Sequence, residues 1–146
     1  MDVVATLEAP HPASRLFSWV EDLDRYPSWL DIVPRAVAAP GHAEDVGPAW
    51  SVDLRGRLGP FARAKRLRMV RTVHDVPRHA RFERVEQDGR QHSAWVLDAT
   101  VDEGDGHSTL TMRLHYGGRL WVPALDRLLA DEIERSRPRL LDCLAR

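Results

Sequence analysis

The longest helical pattern in the chain lies at its C-terminal end. Between Arg119 and Arg146, the residues Val122, Leu125, Leu129, Ile133, Leu140 and Leu144 recur three, four or seven positions apart and share one stripe at the helical period. Trp121, Leu128 and Leu141 widen the stripe, and Asp126, Arg127, Asp131, Glu132, Glu134 and Arg135 form a polar back. Pro123 suits a first helical turn, where its missing N–H has no partner anyway. Ordering such a segment costs roughly 1–2 kcal/mol per residue. Burying the stripe returns only roughly 1.5–3 kcal/mol per large side chain, so the helix must lie on a wide apolar surface. Pro138 falls inside the pattern and predicts a bend or break near Arg135 to Pro138.

Upstream, the period changes from helical to alternating. Asp2 to Glu8 reads as a strand with Val3, Ala5 and Leu7 on one face. Two short helices follow, Ser14 to Val20 with Leu16, Phe17 and Val20 inward, then Asp22 to Leu30. Pro34 to Ala39 predicts a short strand. Trp50, Val52 and Leu54 alternate with Ser51, Asp53 and Arg55, giving one buried and one wet face. After a turn at Gly59-Pro60, Phe61 to Val76 is a long strand, and Arg78 to Gln87 another, ending at the hairpin signal Asp88-Gly89. Gln91 to Asp102 places Trp95, Leu97, Ala99 and Val101 on one face. His107 to Tyr116 does the same with Leu110, Met112, Leu114 and Tyr116, after a turn at Glu103 to Gly106. Strand, two short helices, about six further strands and a long helix is an α+β order.

Composition narrows the class. A chain of 146 residues with 43% hydrophobic and 29% charged residues predicts one ordinary domain with a core of its own. A net charge of −1 gives no pull toward nucleic acid or anionic lipid. There is no signal-peptide pattern, no run of membrane-spanning length and a single cysteine, Cys143, so no integral membrane contact and a cytoplasmic location are expected.

The element order, with Leu7-Glu8-Ala9-Pro10 leading into Leu16-Phe17 and then Asp22-Leu23-Asp24-Arg25-Tyr26-Pro27-Ser28-Trp29-Leu30, resembles the START-like (SRPBCC) superfamily. This is the helix-grip fold of the birch-pollen allergen, polyketide cyclase/dehydrase and lipid-transfer groups. The run from Asp22 to Leu30, and Gly117-Gly118 before the last helix, look like the bacterial cyclase-like and coenzyme-Q-binding branches. The resemblance spans essentially the whole chain and is specific for fold rather than ligand. It implies a curved antiparallel sheet of six to seven strands wrapped around the C-terminal helix, with a cavity between them.

The inward faces are then candidate walls: Trp50, Val52, Leu54, Leu67, Met69, Phe82, Trp95, Leu97, Met112, Leu114 and Tyr116, with Leu125 and Leu129 from the helix. Periodicity alone does not separate such a wall from a filled core. Arg71 shares parity with Leu67 and Met69, so it points inward unless a bulge flips it, and an inward arginine needs a partner or a wet cavity end. With the Tyr116 hydroxyl it is a candidate anchor for a ligand's polar end.

Other chemistry is not visible. Seven histidines are scattered without metal-ligand spacing, no serine sits in a nucleophile elbow, and Gly56 to Pro60 has the wrong spacing for a phosphate loop. No metal and no cofactor are expected. The basic stretch Arg55, Arg57, Arg63, Lys65, Arg66, Arg68 and Arg71 lacks interleaved aromatics apart from Phe61. It reads as a solvated sheet face paired with acids such as Glu83, Glu86, Asp98 and Asp102, not as a nucleic-acid site. The expected function is binding of a small hydrophobic molecule (lipid, quinone or polyketide-like). A polyketide cyclase/aromatase-like enzyme, a protein-partner module of toxin–antitoxin type and a homodimer stay open.

Overall fold

The structure is a computed structural model that describes residues 2–58, 61–117 and 125–146, the side chains of residues 56–58, 61–63, 125, 126 and 128 excepted. In chain order the elements are β1 (Asp2–Ala9), α1 (Ala13–Phe17), a 3-10 helix (Leu23–Ser28), β2 (Arg35–Ala39), β3 (Ala49–Leu58), β4 (Phe61–Asp75), β5 (His79–Arg84), β6 (Trp95–Gly104), β7 (His107–Tyr116) and α2 (Leu125–Ala145). The strands form one curved antiparallel sheet in the order β1-β7-β6-β5-β4-β3-β2. Every neighbour from β2 to β7 is consecutive in the chain. The exception, β1 on β7, makes the first and last strands partners and puts β1 and β2 on opposite edges. The two short helices span that gap, and α2 lies across the concave face: the helix-grip fold.

Inward alternation holds through the sheet. Trp50, Val52, Leu67, Met69, Phe82, Trp95, Ala99, Val101, Leu110 and Tyr116 are all buried. Leu16, Phe17 and Val20 from the α1 segment, which ends in turns rather than helix, are fully buried among them. The Tyr26 hydroxyl donates to the Val20 carbonyl at 2.9 Å, and burial, then the charge of Asp22, push its pKa well above the usual phenol value. On α2, Leu129, Leu140, Cys143 and Leu144 are buried. Arg139 ion-pairs with Asp31 and fixes the helix to the segment after the 3-10 helix.

Several expectations change. The helix runs unbroken through Pro138, so the lost N–H at that position does not end it. Ile133, on the same stripe, is only half-buried. The Asp88-Gly89 signal does not join two strands directly. β5 stops at Arg84 and β6 starts at Trp95, leaving a longer loop in which Gly89 takes a positive φ of 70°. A two-residue hairpin forms at Asp105-Gly106, with Gly106 at φ 72°. The Gly59-Pro60 turn, Gly118, Trp121, Val122 and Pro123, and the side chains of Leu125 and Leu128, lie outside the described residues.

Candidate functional site

The concave face divides into two territories. Over β3 to β5 aromatic side chains pack together. Phe82 meets Trp50 edge-on at 5.7 Å and Tyr26 at 6.2 Å, and Tyr26 packs on Trp29 at 4.9 Å. The 3-10 helix forms because Pro27 and the hydrogen bonds around Tyr26 suit a tight turn, and it carries this aromatic cover onto the sheet. The Trp50 indole donates to Asp24 at 3.2 Å and the Trp29 indole to the Trp19 carbonyl at 3.1 Å. Trp50, Val52, Leu67, Met69 and Phe82 belong to the buried hydrophobic cluster there, with Leu54 packed against it.

Over β1, β7 and β6 a void of about 90 Å³ lies under α2. One water needs only about 10–15 Å³ of such space, so this is more than a packing fault. Its floor is Val3, Ala5 and Leu7 from β1, Leu110, Met112 and Leu114 from β7, and Leu97 from β6. Trp29, Leu30 and Ile32 form one side, and Leu129, Ile133 and Leu140 the roof. Polar groups are few: Thr6, Glu132, Ser136 and Arg137. Ser136 Oγ is satisfied by the Ile133 carbonyl at 2.6 Å, Glu132 by Arg135 at 3.3 Å, and Arg137 sits 3.1 Å from Glu134. Of the anticipated wall, Leu97, Met112, Leu114 and Leu129 meet at this void. Sequence reasoning missed the contribution of β1 and of residues 29–32. The inward set Val3, Ala5 and Leu7 was visible, but the β1–β7 pairing that brings it beside Met112 was not.

Arg71 points inward, as its parity required, but its charge is already answered. Its guanidinium donates to Asp22 at 2.7 Å and to the Glu21 carbonyl at 2.8 Å, and it lies 5.7 Å from the Trp50 ring centroid. It is not among the residues that line the void. A bulge follows directly, between Arg71 and Val73. Tyr116 is buried and stacked on Trp95, away from the void's lining.

The outer cations find partners mainly on their own side of the sheet. Arg66 and Arg35 share Asp53, and Arg68 grips Asp45 at 2.6 Å and holds that carboxyl down at about 2. Burial works to raise the Asp98 pKa, but hydrogen bonds from Arg81 and His79 outweigh it and hold the carboxyl low. The carboxylate–histidine contacts His79–Asp98 and His115–Asp2 sit on the outer face, because both histidines alternate with inward neighbours. Among the described residues no three His, Cys, Asp or Glu groups could hold a metal, and no helix is long and apolar enough to cross a membrane.

No family model matches this chain, and no curated protein matches it by sequence. Solved structures do match. A START superfamily protein from Mycobacterium smegmatis superposes with TM-score 0.74 at 15% identity, covering 99% of this chain and 97% of its own. The fold is that of the START superfamily. A protein of Chromobacterium violaceum gives TM-score 0.69 at 10% identity, over 98% and 96% of the two chains. StfQ, a di-domain ARO/CYC protein of the steffimycin biosynthetic pathway, gives TM-score 0.67 at 14% identity. That match covers 99% of this chain but 50% of StfQ. At these identities the likeness concerns the START-like fold alone.

Proposed function

We propose that this START-like domain reversibly binds a small, largely apolar molecule between α2 and the β1-β7-β6 half of the sheet. The observation that carries the reading is the void there, walled by aliphatic side chains with only a few polar groups at its margin. Such a lining gains from desolvating an apolar guest and supplies few hydrogen bonds to orient a polar one. The space suits a slender chain or a single ring. Ala5→Phe is the test, because Ala5 is a small residue on the floor. Native mass spectrometry of protein purified from its own host should find a small apolar molecule on the wild type and none on the folded variant. Equal occupancy of both, or of neither in the presence of added lipid, quinone and aromatic probes, would sink the proposal.

A cyclase-type enzyme is the second reading, favoured by one observation. Glu132 is a largely buried carboxylate in the cavity lining, in a fold shared with an ARO/CYC protein. Turnover of a polyketide mimic that stops in Glu132→Gln while binding persists would put this reading ahead.

A further inference from the structure

The inward positions of β6 and β7 continue beyond the cavity. Leu97 pairs with Leu114, and both line the void. The next inward pair is Trp95 with Tyr116, about 7 Å further along, at about 3.3 Å per residue. The two rings stack with centroids 5.2 Å apart and planes at 21°. Trp95 is only 8% exposed, yet its indole Nε1 has no hydrogen-bond partner among the described residues. A buried indole N–H ordinarily finds an acceptor.

An exposed cation lies over the face of this indole. Lys65 shares the inward parity of Leu67 and Met69 on β4, and its ammonium lies 5.6 Å from the Trp95 ring centroid. The β5 ladder ends at Arg84, so Lys65 and Trp95 face each other past its end. Arg84 is already committed, to Glu86 at 3.1 Å, the Ser93 carbonyl at 3.3 Å and the His92 ring at 3.2 Å. Glu86 in turn also accepts the Arg68 backbone N–H at 2.9 Å. Lys65 makes no ion pair among the described residues. Burial, then the charge of Arg84, lower its pKa, with Glu86 acting in the opposite sense.

We propose that Lys65 and the Trp95 indole N–H form a subsite for the carboxylate of an amphiphilic acid whose apolar part occupies the cavity. One carboxylate oxygen accepts from Lys65 Nζ and the other from Trp95 Nε1, while Tyr116 holds the indole plane in place. The subsite rests on the cavity reading above and specifies its ligand class. Octanoate and octan-1-ol, titrated separately by calorimetry at neutral pH, test it. Octanoate should bind at least about ten-fold more tightly than the alcohol, the usual scale of a charge-assisted hydrogen bond. Lys65→Met should abolish that preference and Trp95→Phe should reduce it. Lys65→Arg, which keeps the charge, should retain the preference, and thermal melts should confirm that each variant folds. Equal binding of acid and alcohol, or a preference that survives Lys65→Met, would overturn the subsite and leave the cavity reading standing. Failure of both probes to bind the wild type would overturn the two together.

Discussion

Two leucines on one helix should respond differently to the same truncation. Leu129 and Leu144 are both buried on α2, but Leu129 borders the void and Leu144, at 0% exposure, does not. Leucine to alanine loses about 2.4 kcal/mol in transfer alone, at about 0.8 kcal/mol per methylene. At a closed site the cavity left behind raises the cost to about 3–5 kcal/mol. Leu144→Ala should fall in that range. Leu129 already lacks packing partners on one side, so its removal widens an existing space, and Leu129→Ala should cost about 2–3 kcal/mol. Urea titration by circular dichroism measures both, provided the slopes match wild type. The midpoints of the two ranges differ by about 1.5 kcal/mol, so near the melting midpoint the expected gap is about 3–6 °C, at about 2–4 °C per kcal/mol for a domain of this size. A loss at Leu129 equal to or larger than that at Leu144 would refute the reasoning, because the void would then not exist in solution.

Three further outcomes follow from the same geometry. Tyr26→Phe should cost about 1–3 kcal/mol by chemical denaturation, since it leaves the buried Val20 carbonyl without its 2.9 Å donor; a neutral result would mean that water replaces the hydroxyl. Arg71→Met should lower stability by about 1–2 kcal/mol and leave ligand affinity unchanged, because the guanidinium serves Asp22 and Glu21 rather than the void; a ligand-selective loss in calorimetry would mark it as an anchor. Asp45 is held at about 2 in the folded protein, against about 3.9 unfolded. Its folded-state value is depressed, so its contribution is present above the unfolded pKa and disappears as pH falls through the folded one. Asp45→Asn should therefore flatten the stability–pH curve between about pH 4 and pH 2, and an unchanged slope there would show that the Arg68 pair is not formed.

What could be read in the sequence was set by the reach of each signal. Alternation over β3, β6 and β7 reports the face of a side chain, so Trp50, Leu97 and Met112 were placed inward correctly. It says nothing about what covers that face. The cover over Trp50 and Phe82 is Tyr26, distant in the chain, and no local pattern announces the contact. Arg71 shows the same limit: parity gave its direction, but its partner Asp22 is 49 residues away. The hairpin signal was read at Asp88-Gly89 and only a turn at Glu103 to Gly106, yet of the two it is Asp105-Gly106 that joins strands directly. After Arg84 the chain instead spends its polar groups locally, with Glu86 bonded to both Arg84 and the Arg68 N–H.

The division of the concave face follows from side-chain size. Where the 3-10 helix packs against β2 and β3, Tyr26, Trp29, Trp50 and Phe82 are bulky enough to close the distance between layers. Under α2 the facing groups are mostly aliphatic and include the small Ala5 and Val3 below and Ser136 above. A helix cannot move closer there without clashing where Leu140 and Leu144 already touch the core, so the space stays open. At about 24 cal/mol per Å³, a void of about 90 Å³ forgoes about 2 kcal/mol of packing. An apolar guest can return that contact energy without the entropy of ordering a further protein side chain. At a free concentration one hundred times its Kd it would add about 2.7 kcal/mol by mass action. The two magnitudes are comparable, so occupancy should offset the stability that the unfilled space withholds from the apo domain.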